Sequence, residues 1–185
     1  MTIYIINPNS SQNVTDGIDR AVDPMRSDSP VPIAARTLAE GPAGIESQAH
    51  VDGVVAPLLT HCAALEKDAS AFVVACYSDP GLAALREQSD RPVLGIAEAS
   101  ILTAMTLGQR FGIISILSKS IPRHMRYVGA MGVMDRMAGD QPLRLGVQEL
   151  ADEPRTFARL QAVGTSLRDS AMADVVILGC AGMTA

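Results

Sequence analysis

The sequence predicts an α/β fold of two pseudo-symmetric lobes, each with a mostly parallel sheet flanked by helices, and an active cleft between them. Three observations carry that expectation. Short apolar runs such as Phe72-Val73-Val74-Ala75 alternate with stretches of helical periodicity along the chain, the pattern of strands buried on both faces by helices. Two of these runs stop at a cysteine and a turn: Ala75-Cys76-Tyr77-Ser78-Asp79-Pro80-Gly81 and Leu178-Gly179-Cys180-Ala181-Gly182. Each is preceded, at similar distance, by a strand ending in a polar turn, although residue identity between the two rounds is low. The first lobe is expected over residues 1–98 and the second over 99–185. Only three residues follow Gly182, so the second lobe is expected to lack a C-terminal strand and helix.

Each element has its local reason. Ile3 to Ile6 is an apolar first strand, and Asn7-Pro8-Asn9-Ser10-Ser11 is a turn that supplies an N-cap for a helix through about Met25. Pro30 and Pro32 flank an edge strand from Val31 to Thr37. After the loop Gly41-Pro42-Ala43-Gly44, the apolar positions Val51, Val54, Val55, Leu58, Leu59, Cys62 and Leu65 predict one helix from Ser47 to Lys67. A strand from Ala71 to Ala75 follows, then a helix from Pro80 to Gln88 capped by Ser78 or Asp79. Val93 to Ile96 is a fourth strand and Ala97 to Gln109 a helix, with Glu98 read as a cap.

The second round opens with the strand Phe111 to Leu117, the turn Ser118-Lys119-Ser120 and a helix begun by Pro122. Gln141 to Gly146 reads as a weak strand, Glu153 to Ala173 as a long helix, and Asp174 to Leu178 as the strand delivering Cys180. Met125, Met131, Met134 and Met137 lie near helical spacing and are expected to fill the second core.

Composition narrows the function. With 185 residues, 48% of them hydrophobic, the chain can bury one substantial core or two small ones. A net charge of −5 and a pI near 5.1 lack the electrostatic footprint of a nucleic-acid binder. The N-terminus has no positively charged lead, and no apolar run approaches the roughly 20 residues of a membrane span, so no membrane partner is expected. Lys67 and Lys119 are the only lysines, which leaves few candidates for a pyridoxal Schiff base. Cys62, Cys76 and Cys180 show no CxxC spacing, hence no disulfide framework, zinc site or supported redox couple. His50, His61 and His124 lack metal-ligand spacing and read as surface or boundary residues. A cytoplasmic location is expected, with no cofactor and no metal.

The chemistry resides in the paired thiols. A cysteine on an apolar strand is usually core, and Cys62, on a helix face, is assigned to packing. Cys76 and Cys180 differ because both lie one step past the apolar run, at the strand end where α/β sheets bind ligands. A nearby helix N-terminus would lower a thiol pKa toward neutrality. Two thiols on opposite walls of a cleft could then invert a carbon acid: one, as thiolate, takes a proton from one face while the other returns one to the opposite face. Backbone amides of Tyr77, Ser78, Ala181 and Gly182 are the expected donors to the developing oxyanion. Asn7 is a ligand candidate or a plain turn residue. Ser115 and Ser118 are the second-lobe counterparts of the Asn7 turn, and the sequence does not say which faces inward.

Five ordered motifs carry a resemblance: Ile6-Asn7-Pro8-Asn9-Ser10-Ser11, Gly41-Pro42-Ala43-Gly44-Ile45-Glu46-Ser47, Ala75-Cys76-Tyr77-Ser78-Asp79-Pro80-Gly81-Leu82, Pro92-Val93-Leu94-Gly95-Ile96-Ala97-Glu98-Ala99 and Leu178-Gly179-Cys180-Ala181-Gly182-Met183. Together they resemble the aspartate/glutamate/hydantoin racemase superfamily, closest to its hydantoin and allantoin racemases. The resemblance implies two pseudo-symmetric lobes, a cofactor-independent racemase and one catalytic cysteine from each lobe, matching Cys76 and Cys180. It also implies a small-molecule substrate, with a 5-substituted hydantoin or allantoin first in line; a homo-oligomer is expected. No arginine falls in the motif turns, although Arg123 follows one, and this favours a neutral ring over an acidic amino acid. The alternatives are an amino-acid racemase, decarboxylase or isomerase of the same superfamily, and a non-catalytic or truncated relative that only holds a ligand.

Overall fold

The computed structural model describes residues 1–183 and places two parallel sheets side by side. The first half runs β1 (Thr2–Asn7), α1 (Gln12–Ala21), α2 (Asp23–Arg26), β2 (Ile33–Thr37), α3 (Gln48–Gly53), α4 (Val55–Leu65), β3 (Ala69–Val74), α5 (Leu82–Gln88) and β4 (Val93–Gly95). Then come α6 (Ile96–Leu107), β5 (Phe111–Ser115), α7 (Ile121–Ala130), β6 (Met137–Pro142), α8 (Glu153–Ala171) and β7 (Val175–Leu178), with single 3₁₀ turns over Ser118–Ser120, Met134–Arg136, Val147–Ala151 and Ala181–Met183. Among the described residues no helix is long and apolar enough to cross a membrane.

The strand orders are β2-β1-β3-β4 and β6-β5-β7, so β1 and β5 are the equivalent central strands. Their registers correspond: Ile6 pairs with Val74 on β3, and Ile114 with Leu178 on β7. Cys76 and Cys180 therefore each lie two residues past the end of an equivalent strand. Close approach at Gly179 holds this geometry, because a Cβ there would come within 2.7 Å of the Ile114 carbonyl oxygen.

Each lobe buries its own cluster, built around Phe72, Ile6 and Leu58 in the first and Leu143, Leu145 and Leu167 in the second. A third cluster joins the lobes, where Tyr77, Ala97 and Ile101 meet Phe111, Val128 and Ile177. Helix α6 thus packs against the second sheet, and the division expected after residue 98 falls in its first turn.

Several elements depart from expectation for identifiable reasons. The long helix from Ser47 is two helices, because Pro57 lacks an amide and its ring opposes the carbonyl of Gly53, where α3 ends. Helix α1 stops at Ala21 and a separate short turn of helix follows. The weak strand lies earlier than Gln141–Gly146. Leu143 and Leu145 are core residues beyond its end, separated by Arg144 in the left-handed region at φ 61°. Met125 and Met134 are exposed, whereas Met131 and Met137 pack against the inter-lobe cluster.

Neither Ser78 nor Asp79 caps α5. That helix starts at Leu82 after Gly81, which adopts φ 68°. Asp79 instead accepts from the amides of Ala97 at 3.0 Å and Glu98 at 2.8 Å, and so caps α6. Its carboxylate occupies the space a Cβ on Gly95 would need. Glu98 acts through an ion pair with Arg86, which holds its carboxyl below the usual range.

Candidate active site

The strand ends of both lobes open on one cavity of about 410 Å³, open solvent at its mouth included. Cys76, Tyr77 and Ser78 line it from the first lobe, and Cys180, Ala181 and Gly182 from the second. Cys62 is fully buried in the first core, as its helical position predicts.

The two thiols have matching surroundings. Cys180 Sγ accepts from the Gly182 amide at 3.4 Å, and the Ser78 amide, at the same offset from Cys76, favours the thiolate of that residue. The Gly182 amide, an expected donor to the oxyanion, is thus engaged by the Cys180 sulfur. The thiol pKa values also depart from expectation. Burial pushes Cys76 up to about 12, with Cys180 and Asp79 adding to the rise, against the Ser78 amide and the Arg123 charge. Burial likewise pushes Cys180 up to about 11, against the Gly182 amide. No long helix starts at either cysteine: α5 begins only at Leu82, and Cys180 is followed by a single 3₁₀ turn. Desolvation therefore wins over any helix-end field.

Other residues occupy different places from those the sequence suggested. Asn7 is fully buried behind the cavity, its amide donating to Asn9 Oδ1, Ser11 O and Thr15 Oγ1. Asn9 reaches the lining instead, and its Nδ2 has no hydrogen bond among the described residues. Ser118 is exposed outside the lining. Ser115 is fully buried behind the lining, and Ser120 lines the cavity in their stead, its buried hydroxyl without a partner. The Asn7 and Ser115 positions look inward, but toward their own lobes' hydrogen-bond networks.

Ser115 belongs to such a network. Its hydroxyl donates to Asp140 Oδ1, and His124 Nδ1 lies 2.8 Å from Asp140 Oδ2 and 3.0 Å from Ser115 Oγ. Nδ1–H directed at the carboxylate fixes the orientation of the ring. His124 is buried, lines the cavity and meets Tyr77 edge-on at 5.1 Å. The expectation of a surface histidine is thus corrected: the first turns of α7 aim inward, packed by Val128. Arg123, one residue earlier, also lines the cavity and donates from Nε to Ser78 Oγ at 2.9 Å. Spacing offered the one available signal, since Ser120, Arg123, His124 and Tyr127 recur at helical intervals on one face. Among the described residues no three His, Cys, Asp or Glu side chains gather as metal ligands would.

A family model described as Asp/Glu/Hydantoin racemase matches residues 3–185. The chain belongs to that family. It is an enzyme of the racemase and epimerase class. A hydantoin racemase from Pseudomonas sp. (strain NS671) is 33% identical over 189 residues, spanning 99% of this chain and 74% of the relative. An allantoin racemase structure from Klebsiella pneumoniae superposes with a TM-score of 0.91 at 26% identity, covering 100% of this chain and 76% of that one. The allantoin racemase from Pseudomonas fluorescens, at 24% identity and a TM-score of 0.92, shares the fold over 100% of this chain and 78% of its own.

Proposed function

We propose that the chain is a cofactor-independent racemase that inverts the stereocentre of a hydantoin-type ring, a 5-substituted hydantoin or allantoin, by two-cysteine acid/base catalysis. The observation that carries the reading is the placement of Cys76 and Cys180 on one cavity, each at the same offset from its strand and each facing an amide donor. One sulfur, as thiolate, takes the ring C–H proton and becomes a thiol while the electron pair moves onto the adjacent carbonyl oxygen. The opposite thiol then gives its proton to the other face of the carbon and becomes the thiolate. The charge coupling that raises Cys76 when Cys180 ionises disfavours two thiolates together, as a pair that exchanges acid and base roles requires. Donors for the enolate oxygen are Asn9 Nδ2 and the Ser120 hydroxyl, neither of which has a hydrogen-bond partner among the described residues.

A ring suits the cavity better than a free amino acid. Among the described residues its lining contains no carboxylate to pair with an α-ammonium group, whereas a hydantoin ring brings only neutral N–H and carbonyl groups. Free thiols at the working site fit a reducing compartment, so a cytoplasmic location is part of the reading.

Solvent deuterium tests it. Single-enantiomer hydantoins incubated in heavy water should exchange at the stereocentre and racemise, and Cys76→Ser or Cys180→Ser should slow racemisation by about 10²–10⁴-fold. Racemisation that persists in the double variant would rule the mechanism out.

A further inference from the structure

Beyond the thiol cavity, and sharing the Ser78, Arg123 and His124 wall with it, lies a second cavity of about 690 Å³, open solvent included. Its other walls come from both lobes: Val51 and Gln48 on α3, Ile101 on α6, and Arg126 and Tyr127 on α7. We propose that this outer chamber binds an anionic group, a carboxylate carried on the substituent of the substrate's stereocentre, and that Arg126 together with Arg123 recognises it. The proposal rests on the racemase reading above and names the substrate class within it.

The argument is one of unbalanced charge. Arg123 and Arg126 are one helical turn apart on α7, and each bears on the other electrostatically. Neither forms an ion pair among the described residues. Arg123 makes a single hydrogen bond, to Ser78 Oγ. Arg126 donates to Gln48 Oε1 at 2.7 Å and to the Pro122 carbonyl at 3.4 Å, both neutral acceptors. Among the described residues no carboxylate lines either cavity. The nearby acids are hydrogen-bonded elsewhere: Asp79 with α6 and Tyr127, Asp140 with His124 and Ser115 although its charge also bears on Arg123, and Asp52 with the Gln48 amide. Two adjacent guanidinium groups, one of them half-buried, repel each other until an anion lies between or beside them. Planar forks of this kind match a carboxylate's two oxygens.

The position assigns the anion to the substituent and not to the ring. Arg123 lines both chambers, so a ring held between the sulfurs directs its substituent past Arg123 toward Arg126. Val51, Ile101 and Val128 supply an apolar sleeve for the methylenes in between.

The test compares isosteres. Hydantoin-5-propionic acid and its primary amide have nearly the same shape and differ in charge, and both are followed by deuterium exchange in heavy water. The acid should show kcat/KM about tenfold or more above the amide, the usual scale for hydrogen bonds to a charged group. In Arg126→Gln that ratio should fall toward one, and Arg126→Lys should restore part of it. Equal rates for acid and amide, or a ratio unchanged in Arg126→Gln, would overturn the anion site while leaving the racemase reading standing. Exchange of neither hydantoin nor of allantoin, or of free glutamate alone, would overturn the hydantoin reading and the anion site argued from it.

Discussion

At the scale of single residues, the proposed two-thiol mechanism makes the sulfurs set the pH behaviour. An ordinary thiol titrates near 9, and burial lifts Cys180 to about 11 and Cys76 to about 12. Both are therefore thiols at neutral pH, and the reactive state, one thiolate facing one thiol, is populated only as pH rises toward the lower value. The rate of deuterium exchange should accordingly climb with pH from 7 up to about 10, close to tenfold per unit. A flat profile over that range, with intact protein, would contradict a rate limited by forming the thiolate. Stability should move the opposite way. A thiol whose folded pKa is raised binds its proton more tightly in the fold, so its contribution is whole below the unfolded value and is lost as pH climbs through the folded one. Cys62, also lifted to about 12 by burial, adds to the same trend. Urea midpoints should fall above about pH 9, and less steeply in Cys62→Ala once its own packing loss is subtracted.

At the scale of elements, Asp79 ties the Cys76 loop to the fold. One carboxylate accepts from two amides that begin α6 and from Tyr127 on α7, so the turn carrying Cys76 is pinned to two helices. Asp79→Asn turns one acceptor into a donor facing these donors, and should cost about 1–3 kcal/mol in urea unfolding. Deuterium exchange should fall as well, since the loop that aims Cys76 loses its anchor. Wild-type stability in this variant would show that the anchor is dispensable. The same element shows how much the sequence could tell. The strand ends and both cysteine turns were legible, because an apolar run stopped by a turn is a local signal. Asp79's true partners lie 18 and 48 positions away, and no local pattern joins them. His124 was misjudged for the same reason: its partners, Ser115 on β5 and Asp140 on the edge strand β6, are brought together only by folding. Asn7 is legible at the end of the first strand, whereas Ser115, expected within a strand reaching Leu117, ends β5, and only the folded chain shows Asn9 and Ser120 taking the places at the cavity.

At the scale of the whole molecule, the lobes are joined by two kinds of contact. An apolar seam runs along α6, where Ile101 is fully buried between the lobes. On the loop that follows β2 the joints are polar: Glu46 Oε1 accepts from the Val147 amide at 2.9 Å, and Gln148 donates to the Ala43 carbonyl at 2.9 Å. Hydrogen bonds exchange with water at a net cost of about 1 kcal/mol each, whereas a buried apolar side chain truncated in place costs about 2–5 kcal/mol. The seam should therefore hold the lobes as a unit, and the polar joints should be the part that opens to admit a substrate otherwise enclosed. Ile101→Ala should lower the melting temperature clearly, with exchange protection lost across both lobes. Glu46→Ala should leave the melting temperature nearly unchanged, speed amide exchange around residues 41–47 and 146–148, and raise KM more than it lowers kcat. If Glu46→Ala unfolds the protein as readily as Ile101→Ala, the polar joints are structural, and the opening that admits substrate must be sought elsewhere.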